Sequence, residues 1–461
     1  MERPDPVSRR RGRTFESGTL PILLIDALAL LLVVAAGPAA FLYLDSSHPS
    51  PIVATAPPGA QSSPTAAPGG TPGVGASSVP GASQPARSSG SAAAGQSPKL
   101  VVGNGTWAQV DPLPQALWAT ASASLRDGRI MVIGGATGES SFDAVASATM
   151  FDPATNRWSP ATAMLQPRAY AMAVTLADGS VLVAGGSRNG QPLDTAERYY
   201  PGNGSWVAAG RLNLPRTQGT LTVLQDGRVL AAGGGVEGTP GWTSTSSTEV
   251  FDPKTGAWSI GAPMEVERAR HTATLLPDGR VLVTGGATTY QGDVGSVTAT
   301  AELYDPKSNS WRHAASMSTP RYVHGAALLT DGRVLVAGGW YATSNTDPSH
   351  ETAEIYDPAT DRWSATASMA DGRAEFGLVK LPDGRVLAAG GDDPAYKVQA
   401  SSELYDPVAG FWQPMGNLAA PVMWPAIQAL PDGRVLMASG ALDALAAHVT
   451  AVCEIFAPAP R

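Results

Sequence analysis

The sequence predicts an all-β fold, a closed ring of seven four-stranded antiparallel units, and three recurrences carry that expectation. An Asp-Gly pair between apolar runs returns at Asp127, Asp178, Asp226, Asp278, Asp331, Asp383 and Asp432, about 50 residues apart, the period of a blade-sized repeat. A Gly-Gly pair follows each at Gly134, Gly185, Gly233, Gly285, Gly338 and Gly390, reduced to Ser439-Gly440 in the seventh copy. An apolar strand running into Asp-Pro or its remnant comes next, then a tryptophan at Trp158, Trp206, Trp258, Trp311, Trp363 and Trp412.

Each element has a local reason. An Asp-Gly pair flanked by apolar, β-branched residues marks a tight hairpin, because glycine accepts positive φ without steric cost. The Gly-Gly pair ends the second strand and admits a close backbone approach. The third strand, such as AEIYDP in the fifth unit, ends in Asp-Pro, where proline presets φ and the Asp side chain bonds nearby amides. The tryptophan opens the fourth strand and should face the preceding aromatic, Trp363 against Tyr356. The seventh unit ends at Phe456 without a tryptophan, while Trp107 lies upstream of the first unit. A three-stranded unit leaves an open edge, so Gly105–Val110 should supply the missing outer strand and close the ring.

The Gly-Gly pair, the Glu-x-(Tyr/Phe)-Asp-Pro turn and the spaced tryptophan resemble kelch repeats. Their D-G-R hairpins are similar to those of the central propeller of galactose oxidase. The resemblance spans Gly103 to Pro458 and implies a seven-bladed kelch-type β-propeller. It implies no activity by itself, since such propellers serve unrelated functions. Copper-radical chemistry in galactose oxidase needs a cysteine cross-linked to tyrosine, a second tyrosine and two histidines. Here the single cysteine, Cys453, falls in the third strand of blade 7. No cofactor and no metal is therefore expected.

The 461 residues are 43% hydrophobic, enough for a large core, and the net charge of −8 argues against nucleic acid. Residues 1–19 read as a basic cytoplasmic tail carrying Arg9, Arg10, Arg11 and Arg13. Residues 20–44 are apolar apart from Asp26 and long enough to span a bilayer as an uncleaved signal-anchor. A signal peptide cleaved near Ala39 or Ala40 is the competing reading, which would leave the protein secreted. Residues 45–102, rich in Pro, Ser, Ala and Gly, read as a disordered linker. Residues 103–461 form the propeller, expected to lie outside the cytoplasm as a monomer. Asn104 and Asn203 sit in glycosylation sequons that turn formation explains equally well.

Alternating strand ends put the Asp-Gly and Asp-Pro turns on one face and the Gly-Gly loops and blade crossovers on the other. The second face varies, and variable loops on a rigid scaffold are where sites sit. Four tryptophans outside the repeat map there: Trp118, Trp242, Trp340 and Trp424. Trp118 and Trp424 are expected either to plug the channel or to line it. Trp340 with Tyr341 reads as an exposed stacking platform. The crossovers align Arg168, Arg216, Arg268, Arg321 and Arg373, with Gln115 and Pro421 in blades 1 and 7. The arginines read as structural, bonded to backbone carbonyls or to Glu197, Glu249, Glu302, Glu354 and Glu403. Just beyond them the repeat breaks at Tyr170, Gln218, Arg270, His271, His324 and Glu375, the expected lining of the channel mouth.

The leading expectation is a membrane-anchored, non-catalytic binding propeller for a surface glycan or protein, with Trp340, Tyr341, Arg270, His271, His324, Glu375, Tyr170 and Trp242 as ligand-binding residues. A sugar epimerase or mutarotase using Glu375 with His324 or His271 as acid and base is one alternative. A structural spacer in an envelope assembly is another.

Overall fold

A computed structural model describes residues 103–460, apart from 139–142, 238–241, 289–295, 342–349 and 444–445. The tail, anchor and linker readings for residues 1–102 lie outside this range.

Seven four-stranded antiparallel sheets form the blades of a propeller. Blade 1 runs outward through Ala121–Ser124, Ile130–Ile133, Ala148–Asp152 and Arg157–Pro160. Blades 2 to 6 repeat the order, and blade 7 uses Ala426–Ala429, Val435–Ala438 and Cys453–Ala457. Its outer strand comes from Thr106–Val110, in register from Thr106 opposite Ala457 to Val110 opposite Cys453. The ring closes as the unmatched Trp107 demands, with its ring 5.3 Å from Phe456.

The second strand of every blade is buried along its whole length, as in Val181–Ala184 and Val334–Ala337. Both its faces are covered by neighbouring blades, which is why it reads as a continuous apolar run rather than an alternation. Each core therefore lies between blades. One joins Ala121, Met131 and Met150 of blade 1 to Val181, Val183 and Tyr199 of blade 2. Another joins Ile130, Val132 and Phe151 of blade 1 to Leu436 and Cys453 of blade 7.

The repeat tryptophans sit where the spacing places them. Tyr356 opposes Trp363 with ring centroids 5.1 Å apart, and the equivalent pair recurs in the other six blades. In blades 1 to 6 the indole N–H donates to a carbonyl of the preceding segment, as Trp363 does to Ala315 at 2.7 Å. Each tryptophan thus fills its own blade and pins the previous one.

The five crossover arginines are structural, as expected. Arg268 donates to the Gly285 carbonyl at 2.6 Å and to Glu302 at 2.8 Å, and its side chain has no exposed surface. Arg168, Arg216, Arg321 and Arg373 make the same contacts with Glu197, Glu249, Glu354 and Glu403. The carboxylates also accept amides of the crossover, Glu302 from Glu265 and Val266. The blade 1 and 7 alignment needs correction. The carbonyls of Leu117 and Val422 accept from Gly440 and Gly391 as the Arg168 carbonyl accepts from Gly135, so these residues, not Gln115 and Pro421, occupy the arginine position. Blade 1 also replaces the glutamate, with Thr149, whereas blade 7 keeps Glu454.

Candidate functional site

Two residues beyond the arginine position, every blade places one residue with positive φ. These are Ala119, Tyr170, Gln218, Arg270, Val323, Glu375 and Trp424, with φ between 47° and 55°. Backbone bonds chain them: Tyr170 N–H to Ala119 O, Gln218 to Tyr170, Arg270 to Gln218, Val323 to Arg270, Glu375 to Val323 and Trp424 to Glu375. Left-handed backbone at seven non-glycine residues is a repeated strain that the ladder of bonds holds in place. The result is a collar of seven side chains at the mouth of the central channel.

The collar divides into two chemistries. On one side Trp118, Trp424 and Tyr170 form an aromatic cluster, with centroids 5.1 Å apart for the tryptophans and 5.5 Å for Trp118 with Tyr170. Met423, Val398, Ala441 and Ala446 surround it. Trp118 is fully buried, and its indole donates to the Gly138 carbonyl at 2.8 Å. Trp118 and Trp424 therefore pack against each other, and Tyr170 joins them edge-on in one aromatic cluster.

On the other side the collar is polar. Arg270 of blade 4 reaches past Val323 of blade 5, putting its Nη1 3.8 Å from Glu375 Oε1 of blade 6. Its Nε donates to Gln218 Oε1 at 2.9 Å. Both side chains of the ion pair are nearly buried, with 10% of Arg270 and 8% of Glu375 exposed. Beside them lies Asp392, the residue after the blade 6 Gly-Gly pair, almost wholly buried. Burial, and then the neighbouring Glu375 charge, pushes the Asp392 carboxyl up to about 9, although the Trp340 indole bonds it. Burial raises Glu375 to about 7 against the opposing pull of Arg270. Burial disfavours the charged form, and two carboxylates sharing one site cannot both ionise cheaply.

The aromatic platform differs from its expected form. Trp340 is buried rather than exposed, at 7% of its surface. It occupies the same register position as Asp392, the first residue after Gly-Gly, and bridges back to Tyr322 as Asp392 does to Ala374. Its outer face is covered by Tyr396, stacked at 4.6 Å and 24°. Tyr396 is 51% exposed and presents the accessible ring. Tyr341 is half-buried and lies against His350, with centroids 4.5 Å apart. The Trp242 backbone pairs with Glu237 in a short hairpin, and its side chain lies outside the described residues.

His271 and His324 leave the site. They sit one residue beyond the collar, buried between blades. His271 Nε2 is 3.1 Å from Thr220 Oγ1, and His324 Nε2 is 3.0 Å from Thr272 Oγ1. Burial and the neighbouring arginines push His271 down to about 3 and His324 well below its ordinary value, so both are neutral. The acid and base read from the sequence, Glu375 with a histidine, is replaced by Glu375 with Asp392. The signal for Asp392 and Tyr396 was in the sequence: after Gly-Gly most blades carry Ala, Ser or Gly, and only Trp340 and Asp392 break that rule.

The opposite face holds shallow clefts between neighbouring turns. One of about 430 Å³ is lined by Asp178, Arg198, Asp226, Arg228, Asp252 and Lys254. It confirms that the Asp-Gly and Asp-Pro turns share a face, but its polar groups are largely committed to the turns themselves. Among the described residues no three His, Cys, Asp or Glu side chains gather as a metal site. Cys453 is buried in the third strand of blade 7 and burial pushes its thiol up to about 12.

Comparison with known proteins agrees with this geometry. The Kelch motif matches residues 168–213, 216–265, 268–318 and 321–370. Curated relatives include spermatocyte protein spe-26 of Caenorhabditis elegans, 25% identical over 31% of this chain and 25% of that protein. They also include Kelch-like protein 23 of Homo sapiens, 32% identical over 28% of this chain and 22% of that one. Alpha-scruin of Limulus polyphemus is 27% identical over 33% of this chain and 16% of its own length. The chain thus spans about a quarter or less of these relatives. Among solved structures, a fungal alcohol oxidase of the AA5 family in complex with copper superposes with a TM-score of 0.61 at 18% identity, covering 78% of this chain and 76% of that one. YjhT superposes with a TM-score of 0.54 at 16% identity, covering 67% of this chain and 99% of its own. At these identities the likeness is one of fold. With four consecutive Kelch motifs lying within seven blades of one register, this chain is a kelch-repeat β-propeller, similar in fold to the galactose oxidase-like AA5 oxidase.

Proposed function

We propose that this protein is a membrane-anchored, extracytoplasmic binding propeller that engages a surface glycan or protein at the mouth of its channel. The observation that carries the reading is the convergence at one point of an exposed ring, Tyr396 backed by Trp340, with the polar set Arg270, Gln218, Glu375 and Asp392. Such a mixture of stacking surface and directional polar groups is what small binding sites are built from. The kelch relatives support a binding role, since kelch propellers commonly hold protein partners. The Leu20–Leu44 segment and the arginines before it support the anchor and its orientation. Full-length protein in detergent, with and without Tyr396→Ala, can be assayed on immobilised cell-surface material. Protease treatment of that material distinguishes a protein ligand, and periodate treatment a glycan. Retention should fall at least tenfold for the variant while its thermal midpoint stays within a degree or two of the parent. Unchanged retention would remove the mouth from the function.

A sugar epimerase or mutarotase is the second reading, favoured by one observation: Glu375 and Asp392 both have proton affinities raised toward neutrality, as acid–base catalysis requires. NMR of anomeric exchange in reducing sugars, with and without the protein, tests it. An unchanged exchange rate excludes mutarotation.

A further inference from the structure

We infer that Asn203, in the outer turn of blade 2, carries an N-linked glycan whose first sugar seats against the ring of Tyr200 in the cleft beside it. The inference rests on the propeller lying outside the cytoplasm, and it adds a modification site to the proposed binding function.

The outer turn of each blade needs one left-handed residue, two places before the repeat tryptophan. Asn156 fills that place in blade 1, Asn309 in blade 4 and Asp361 in blade 5, with φ between 48° and 56°. In blade 2 the place belongs to Gly204, with φ of 67°. Glycine adopts this conformation at no steric cost, so the backbone of the turn does not require the asparagine before it. Asn203 is exposed, and its Oδ1 accepts from the Ser205 amide at 3.2 Å and from the Ser205 hydroxyl at 2.8 Å. Its Nδ2 has no hydrogen bond among the described residues. The Asn-Gly-Ser sequon therefore stands on the surface, with its hydroxyl on the amide oxygen and its amide nitrogen toward solvent.

A second observation points to the sugar. Blade 2 has Tyr200 before its turn proline, where five other blades have Asp152, Asp252, Asp305, Asp357 and Asp406. The Tyr200 ring is 36% exposed, with the Arg198 guanidinium 5.0 Å from its centroid. Tyr200 is the cross-strand partner of Ser205, and its carbonyl accepts the Asn203 and Gly204 amides at 3.3 and 2.9 Å. A cleft of about 290 Å³ opens there, lined by Asp178, Ser180, Tyr200, Pro201, Gly202 and Asn203. That volume is at the lower end of small-ligand sites. The aromatic ring offers a flat apolar face to the C–H side of a pyranose, and the Asp178 carboxylate is an acceptor for its hydroxyls. The donor is an oligosaccharide carried on a lipid pyrophosphate. Asn203 Nδ2 bonds to the anomeric carbon, the anomeric C–O bond breaks with its electron pair leaving on the pyrophosphate, and the proton lost from Nδ2 passes to the transferase. The turn face lies opposite the collar, so the glycan leaves the mouth open.

The test uses full-length protein purified from the membranes of its own host. Trypsin releases residues 199–211, in which Asn203 is the sole asparagine and Ser205 the sole serine. Mass spectrometry with electron-transfer fragmentation should find a glycan on Asn203 in most copies. Asn203→Gln and Ser205→Ala should each abolish it, and Ser205→Thr should retain it. The seating on Tyr200 has its own readout. The glycosylated parent should melt about 2 °C above Asn203→Gln, and the gap should close when both chains also carry Tyr200→Thr. A bare peptide, or a sugar on Ser205 instead, overturns the inference if protease added to intact cells cuts the propeller, and the extracytoplasmic reading then stands. A propeller shielded from that protease overturns both. A glycan on Asn203 whose melting gap is unmoved by Tyr200→Thr overturns the seating in the cleft.

Discussion

At the scale of single residues, the repeat shows where it tolerates departure. Ser439 replaces the first glycine of the pair yet keeps its backbone, with φ of 60° against 66° at Gly338. The glycine is needed because a Cβ at Gly338 would lie 2.4 Å from the Arg373 carbonyl. Ser439 is fully buried in that conformation, and a non-glycine residue there costs about 1 kcal/mol. Ser439→Gly should therefore stabilise the protein by about 1 kcal/mol in chemical denaturation, and a loss of stability would mean that its contact with Thr120 outweighs the strain. Arg198 shows compensation. Blade 2 has Ser180 where other turns carry arginine, and Arg198 from the neighbouring strand bonds Ser180, Asp178 and the Pro253 carbonyl instead. The carboxylate pair gives a pH signature. Both proton affinities are raised above the unfolded values, so the folded state binds more protons between about pH 4 and pH 9, and stability falls as pH rises through that window. Asp392→Asn removes the liability. Its stability relative to the parent should rise between pH 5 and pH 8.5, and parallel curves would show that the carboxylates are not coupled to folding.

At the scale of elements, the crossover clamp joins each blade's entry to its second and third strands. The Arg268–Glu302 pair has almost no exposed surface, so removing one partner strands the other in a dry site. Arg268→Ala should cost about 3–5 kcal/mol, while the double change Arg268→Met with Glu302→Leu should cost much less. Blade 7 has lived with half of this change: Val422 replaces the arginine, Glu454 keeps the Ala419 amide, and burial raises its proton affinity. The outer strand of blade 7 is the other vulnerable element. Trp107 lies against Phe456 and its indole donates to Ser402, so one residue fastens the strand to blades 6 and 7. A chain starting at Asp111 should be strongly destabilised or aggregate, because it exposes the edge of Cys453–Ala457. A chain starting at Leu100 should fold, and Trp107→Ala within it should cost about 3–5 kcal/mol. Equal denaturation midpoints for the two chains would show that the ring closes without this strand.

At the scale of the whole molecule, the inter-blade cores mean that the propeller should unfold as one cooperative body, with no blade stable alone. The anchor reading belongs here as well. Mass spectrometry of the mature protein should recover the arginine-rich N-terminus, and a chain beginning near Phe41 would show cleavage and secretion instead.

The sequence by itself determined everything that repeats. Hairpins, blade number, closing strand, tryptophan pairs and arginine–glutamate clamps are legible because each rests on turn chemistry and short-range strand pairing, which a fixed period of about 50 residues displays. Only the tertiary structure decided the site. The collar draws one residue from each blade, and Arg270, Glu375 and Asp392 meet because curvature of the ring brings blades 4 and 6 to the same mouth. Burial is equally invisible in the chain. Trp340 reads as exposed until Tyr396 covers it, and the two histidines read as mouth residues until neighbouring blades close over them. Local propensity names the strands, but proximity across a ring and removal from water depend on the sum of all seven blades.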